Sequence, residues 1–342
     1  MMNKKANYNM ESNAIFSQFK NLVKSTTNNE AFDVISISDL PHKLGVSCEG
    51  FPKFFVSTNN SISSTQNIIR EMLSVEYNLP CFIVENGDVK QKDCFSVITL
   101  RTNDVSLQAY FIEIFLMMLQ KISKEPSRRE LSIEVENLIT IFSTLTKPPR
   151  QKLQGLWAEL LIIERSLHPE TLINAWHNSP AAKYDFTLGR DKIEVKSTSS
   201  EERVHHFSLD QLNPSPNSRL LIASLIVRES GQGSGGLSVR DLYERICRRV
   251  TAISARLQLY TIMAETIGSD LAKLDNTFFD YTEASDTLSF YDSNDVPHID
   301  KTAVPQFVSE VKFSSNLSHL IDIQNTLSTF DCSNSPLYKS LF

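Results

Sequence analysis

Two spacings of apolar residues organise this chain. Where they recur every three or four positions they predict helices, and where they alternate they predict strands. Residues 13–23 carry Ile15, Phe16, Phe19, Leu22 and Val23 at helical spacing. From 33 to 58 the pattern is strand-like, through Val34-Ile-Ser-Ile, Leu44-Gly-Val-Ser-Cys and Phe54-Phe-Val-Ser. Residues 59–67 read as a loop, 74–79, 81–85 and 94–101 as strands, and Asn86-Gly87 as a hairpin turn. A buried helix is expected over 106–122 (Tyr110, Phe111, Ile114, Phe115, Met118, Leu119) and another helix over 133–145, after the polar stretch 123–130. Pro148-Pro149 then breaks the chain, because neither proline can continue a helix. The expectation is an N-terminal α+β domain over 1–145, serving recognition or assembly without a catalytic motif, and a second domain over 146–342.

The second half opens with residues 155–167, apolar on nearly all sides and so expected to form a buried helix. Residues 184–196 read as a hairpin, and 203–209 as the next strand. Residues 219–227 are so continuously apolar that they suit the centre of a sheet covered on both faces. Residues 230–236 form a glycine-rich loop without the Gly-x-x-x-x-Gly-Lys spacing of a phosphate cradle. Ser238 is placed to cap one long helix over 239–267, and strands over 278–281, 287–291 and 304–312 follow.

The hairpin carries the candidate chemistry. Phe186 and Leu188 alternate with Asp185 and Thr187, and Ile193 and Val195 alternate with Lys192, Glu194 and Lys196. Gly189-Arg190 suits a two-residue turn, which sets Phe186 opposite Ile193 and Asp185 opposite Glu194. Two carboxylates this close repel unless a cation or a proton lies between them. An oxygen-rich pocket with few protein ligands suits Mg²⁺, which keeps several waters and completes its shell from a phosphate. Lys196, on the same face as Glu194, can hold an attacking water and offset phosphate charge. A surface hairpin with a cross-strand salt bridge fits the same residues. Glu159 shifts the balance, because it falls inside the apolar helix between Ala158 and Leu160. A buried carboxylate is costly unless it is paired or binds a metal, so Glu159 reads as a third acidic ligand.

Composition narrows the partners. The 342 residues carry a net charge of −6, so the overall field disfavours nucleic acid and any DNA contact needs a local basic patch. Arg245, Arg248 and Arg249 fall three and four apart on the 239–267 helix and offer such a patch to a DNA backbone; a solvated helix face is the alternative. Five scattered cysteines without a Cys-x-x-Cys pair suggest neither structural zinc nor a disulfide framework, which fits a reducing, cytoplasmic setting. No run of about 18 apolar residues predicts a membrane span.

Gly155-Leu-Trp-Ala-Glu-Leu-Leu, Trp176, Tyr184-Asp-Phe, Ile193-Glu-Val-Lys-Ser-Thr and Arg203-Val-His-His-Phe-Ser-Leu-Asp-Gln-Leu212 together resemble the PD-(D/E)XK nuclease superfamily. The likeness is strongest over 150–228 and points to a bacterial branch whose genes often lie beside phage-defence genes. Lys183-Tyr184 stands where the name-giving proline would precede Asp185. The resemblance implies an α/β (α+β) fold with a restriction-endonuclease-like core, a mixed central sheet flanked by helices. It also implies an endonuclease, a hydrolase that cuts DNA phosphodiester bonds with Mg²⁺, or Mn²⁺ in its place, in restriction or phage defence. Asp185, Glu194, Glu159 and the Val195 carbonyl would bind the metal, and Lys196 would position the water. Gln211 stands where some nucleases of this fold keep a glutamine near the metal; it equally suits capping a helix. Expected partners are DNA and either a second copy of the chain or other defence-complex subunits. The rivals are a catalytically silent, nuclease-fold DNA-binding or scaffolding subunit and a metal-independent structural protein.

Overall fold

The computed structural model describes residues 8–24, 31–37, 39–59, 65–85, 88–145, 147–149, 151–177, 182–326 and 332–342. The chain divides into two compact units, Met1–Pro148 and Pro149–Phe342. The first runs α1 (Tyr8–Lys20), β1 (Ala31–Ser36), β2 (Lys43–Val46), β3 (Pro52–Val56), β4 (Ile68–Ile69), β5 (Leu73–Glu85), β6 (Asp88–Leu100), α2 (Val105–Lys121) and α3 (Arg128–Thr144). Its sheet has the order β1-β2-β3-β6-β5-β4, and a parallel pairing of β1 with β5 closes it on itself. Closure removes the exposed edges that invite wrong pairing. The apolar side of α2 fills the core, where Phe115 stacks on Phe54 with centroids 4.2 Å apart and Phe111 meets the same ring at 5.5 Å.

Two expectations for this unit change. The strands read at 74–79 and 81–85 are one strand, β5, interrupted by irregular register. Pro80 fits inside it because β4 pairs only at Ser74–Val75 and β1 only at 82–84, leaving Pro80 one neighbour, β6. No ladder bond is lost where no partner waits. Helix α3 starts five residues before 133, because Ser127 caps it and accepts the Glu130 N–H at 3.1 Å. The Asn86-Gly87 turn lies outside the described residues, although Glu85 pairs with Asp88 on either side of it.

The second unit runs α4 (Leu153–Arg165), α5 (Pro169–Ala175), β7 (Phe186–Leu188), β8 (Asp191–Thr198), β9 (Val204–Ser208), β10 (Arg219–Ile226), β11 (Glu229–Ser230), β12 (Gly236–Ser238), α6 (Val239–Arg249), α7 (Ile253–Ile267), α8 (Lys273–Asn276), β13 (Phe278–Asp280), α9 (Tyr281–Thr287), β14 (Ser289–Asp292), β15 (Lys312–Asn316) and α10 (Pro336–Lys339). The central sheet is mixed, in the order β14-β10-β8-β7, with β10 parallel to β8 and the two outer strands antiparallel. Strand β10 is buried almost throughout, as its continuous apolar run requires. Strands β9 and β15 form a separate pair, and β11, β13 and β12 a small third sheet.

The single helix expected over 239–267 is two helices. Val250 and Ala252 are extended, and the Glu170 carboxylate accepts the N–H groups of Thr251 and Ala252 at 2.6 and 3.1 Å. Arg256 reaches back to the Cys247 and Val250 carbonyls, satisfying the end of α6. Ser238 does cap α6, in a reciprocal box with Asp241. The strand expected over 304–312 instead begins at Lys312, because Phe307 and Glu310 take positive φ (69° and 55°), which a strand cannot hold.

The β7–β8 turn follows the expected register, with Phe186 opposite Ile193 and Leu188 opposite Asp191. Gly189 takes φ 59°, a region that costs a side-chain-bearing residue about 1–2 kcal/mol. Nothing lies within 4 Å of a Cβ added there, so backbone strain alone should act. Gly189→Ala should therefore lower unfolding free energy by about 1 kcal/mol in urea titration, and Gly189→Asn by less.

Candidate active site

Paired residues of a parallel ladder point to one face. Glu194 pairs with Ile222 and Lys196 with Ser224, so the two charged side chains share a face with Leu220 and Ile222. Tyr184, Phe207, Leu212 and Leu317 cover that face, which brings the β9–β15 pair against it. Ile193 points to the other face and is fully buried. Helix α4 packs beside β8.

Strand β7 begins only at Phe186, so from Glu194 onward β8 loses its neighbour on that edge. The side chain of Asp185 takes the vacated place, Oδ2 accepting the Val195 N–H at 2.7 Å. The N–H and C=O of a strand residue face the same edge, so the Val195 carbonyl is on the Asp185 side too. Glu159, only 3% exposed on α4, is held by three donors. Gln151 Nε2 bonds its Oε1 at 2.9 Å, and Trp176 Nε1 and His177 Nε2 meet its Oε2 at 2.5 and 2.8 Å. His177 is anchored in turn, its backbone N–H donating to the Asp185 carbonyl at 2.9 Å while Trp176 bridges to Phe186. Glu159, His177 and Asp185 each offer a ligand atom, all within 4.8 Å of one another. Glu164 points elsewhere, to the Tyr281 hydroxyl at 2.9 Å.

Glu194 lies outside that group of three but beside it. It is 3% exposed; its Oε1 accepts Lys196 Nζ at 2.7 Å and the Gln211 amide, while its Oε2 is buried without a partner. Gln211 Oε1 accepts Lys196 Nζ at 3.4 Å and the Ser208 N–H at 3.1 Å. No helix follows Gln211, so it caps none. Lys196 Nζ also stands 5.0 Å over the Phe207 ring.

The three carboxylates are like-charged, with Glu159 and Glu194 buried and Asp185 half-buried by surface area. Burial pushes the Asp185 carboxyl well above the usual range, and the charges of Glu194 and Glu159 push it further, against the Val195 N–H and Lys196. Burial also raises Glu194, against the pull of Lys196. Burial alone would lower His177, but the hydrogen bond and charge of Glu159 raise it. Such a set calls for a proton or a cation. The converging ligand atoms of Asp185, Glu159 and His177 fit a divalent ion, and the orphaned Oε2 of Glu194 lies on a residue beside them.

Sequence reasoning missed His177. It has no spaced partner in the sequence, and its only signal is its place between Trp176 and the hairpin. Gln151 as a partner of Glu159 was equally silent. Each of the three arginines has a partner within the chain. Arg249 donates to the carbonyls of Glu164 and Ser166, and Arg245 stacks over Tyr281 at 4.7 Å and meets Glu164 at 3.9 Å. Arg248 and Arg249 are exposed and Arg245 is half-buried; Arg248 lies 3.7 Å from Glu244. His205 is a structural residue, buried and bonded to the Ser224 hydroxyl at 2.8 Å, with its pKa lowered by burial to about 4. A cavity of 480 Å³ opens beside α4, and of its lining residues Gln151 bonds Glu159. Among the described residues no helix is long and apolar enough to cross a membrane.

The comparison that decides the family is a match of residues 16–318 to the family model "Putative PD-(D/E)XK family member, (DUF4420)". The chain belongs to this family. No curated protein and no solved structure matches it. The mixed α+β architecture accords with the PD-(D/E)XK family that the description names.

The crowding of carboxylates has a measurable consequence. A carboxyl whose pKa is raised by folding makes the protein less stable as pH climbs from the ordinary aspartate range through the folded pKa. Asp185→Asn keeps an acceptor for Val195 but removes the charge. In chelator, the variant should melt above the parent at about pH 8, with the gap closing towards about pH 4. An unchanged or lower melting temperature at both pH values would refute the strain assigned to Asp185.

Proposed function

We propose that this PD-(D/E)XK family member is a divalent-cation-dependent endonuclease that hydrolyses DNA phosphodiester bonds. The observation that carries the reading is the convergence of Asp185, Glu194, Lys196 and Gln211 at the free edge of β8, with Glu159 delivered from α4. Asp185 and Glu194 would hold the cation, with the Val195 carbonyl beside them and Glu159 completing the acidic set. The bound ion would supply Lewis-acid polarisation of the phosphate and lower the pKa of a coordinated water.

The chain's own groups then have distinct tasks. Gln211 binds Glu194 Oε1 and Lys196 together, so Glu194 keeps Oε2 free to coordinate. Lys196, 18% exposed, presents its ammonium beside Glu194, where it can orient an attacking water and offset charge on the phosphate. The Phe207 ring beneath limits where the ammonium can go. A role in restriction or phage defence rests on the family resemblance alone, pairing with a second copy or with defence-complex subunits belongs to the same reading, and a cytoplasmic setting rests on the scattered cysteines. The competing reading is a nuclease-fold subunit that binds DNA without cutting it; the complete set of acidic, amide and lysine groups favours cleavage.

The test is cleavage of supercoiled plasmid by purified protein with Mg²⁺ or Mn²⁺. The parent should nick or linearise it only with the ion present. Lys196→Ala should slow cleavage by about 10²-fold or more while calorimetric ion affinity and melting temperature stay near those of the parent. Full activity of the variant removes Lys196 from catalysis. A parent that binds the ion and cuts nothing favours the silent subunit.

A further inference from the structure

The acidic site contains one nitrogen donor that the reading above does not use. His177 Nε2 lies 2.8 Å from Glu159 Oε2, and Glu159, His177 and Asp185 each offer a ligand atom within 4.8 Å of the others. Two ligands of one octahedral ion with bonds of about 2.1 Å lie roughly 3 Å apart, so this spacing suits a shared ion as well as a hydrogen bond. The imidazole is fixed in advance. His177 takes φ 38°, uncommon for a residue with a side chain, and its N–H is tied to the Asp185 carbonyl at 2.9 Å. The ring thus moves with the end of the hairpin that carries Asp185. A second observation points the same way: Glu194 Oε2, on a side chain 3% exposed, has no partner.

We propose that His177 is a metal ligand, and that its nitrogen tunes the site towards a Mn²⁺-like transition ion rather than Mg²⁺. This rests on the reading of the cluster as a metal centre. Carboxylate, carbonyl and water oxygens suit Mg²⁺ and Mn²⁺ alike, whereas imidazole is a poor match for Mg²⁺ and a good one for first-row transition ions. One imidazole beside the carboxylates of Glu159 and Asp185 therefore separates two ions that an all-oxygen site would treat more evenly. The Mg²⁺ expected from the hairpin alone reflects a donor set that omits His177. The contrasting role is an orienting one, with His177 only donating to Glu159. An orienting partner would support either ion to the same degree.

The experiment uses the full chain, stripped with chelator and titrated separately with MnCl₂ and MgCl₂ in a calorimeter. Pulsed electron paramagnetic resonance of the Mn²⁺-loaded protein is recorded alongside. The parent should display nitrogen hyperfine coupling to Mn²⁺. His177→Gln should lose that coupling and bind Mn²⁺ about tenfold or more weakly, with Mg²⁺ affinity changed much less. Mn²⁺ bound by the parent without nitrogen coupling overturns the proposal, as do equal losses for both ions in the variant. Absence of any ion binding by the parent is a separate result, which sinks the metal-centre reading itself. The coupling in the unaltered protein needs no variant, so the test survives a His177→Gln chain that fails to fold.

Discussion

The hydrogen bond from the Val195 N–H to Asp185 Oδ2 is the contact on which the second unit's site depends. A β-strand that loses its neighbour leaves backbone groups that must be satisfied. Here a carboxylate does what a strand would have done. The consequence is an acidic oxygen fixed at the sheet edge, in line with the backbone of the residue between Glu194 and Lys196. Everything else at the site follows from that edge being open. Glu159 can approach from α4, Gln211 can approach from the segment after β9, and neither has to cross a continuous sheet.

Open edge and burial pull against each other. Burial and the neighbouring carboxylates raise the proton affinity of Asp185 and Glu194, and only part of the site's demand is met by donors within the chain. Glu159 is fully engaged by Gln151, Trp176 and His177, whereas Glu194 divides its oxygens, one bound twice and one left bare. That asymmetry is hard to explain as stabilisation, since an unpaired buried oxygen costs about 1–3 kcal/mol. It is the pattern expected where a group is kept ready for something else. The surrounding scaffold is correspondingly firm. The Tyr338 hydroxyl donates to the Lys192 and Arg219 carbonyls at 3.2 and 2.8 Å, tying α10 across the start of both central strands.

Much of this was legible in local pattern. Period-two alternation and Gly189-Arg190 set the hairpin register, and an acidic residue in an all-apolar helix singled out Glu159. Lys196 and Gln211 fell near Glu194 as the family likeness implied. What escaped depends on contacts between distant segments. The break between α6 and α7 is fixed by Glu170, some eighty residues earlier in the chain, and nothing in the run from Val239 to Ile267 signals it. The pairing of β9 with β15 joins segments about a hundred residues apart. His177 acquires its place only because the chain folds back to put Trp176 beside Phe186. Arg249, read as part of a DNA-facing helix face, also donates to carbonyls at the end of α4, a demand invisible in its own helix.

A net negative charge constrains how the protein could meet DNA on the proposed reading. With a net charge of −6 and the carboxylates gathered at one edge, the metal-free site repels a phosphate. On the proposed reading, a divalent ion neutralises two of those charges and offers an attractive centre where repulsion stood. Ion binding and phosphate binding are then linked, each favouring the other through one coupling free energy. Lys196 alone cannot do the same work, because its charge is already committed to Glu194 at 2.7 Å. On that reading the local field at the site is set by the ion it takes up, and the same carboxylates that repel a phosphate become the means of holding one.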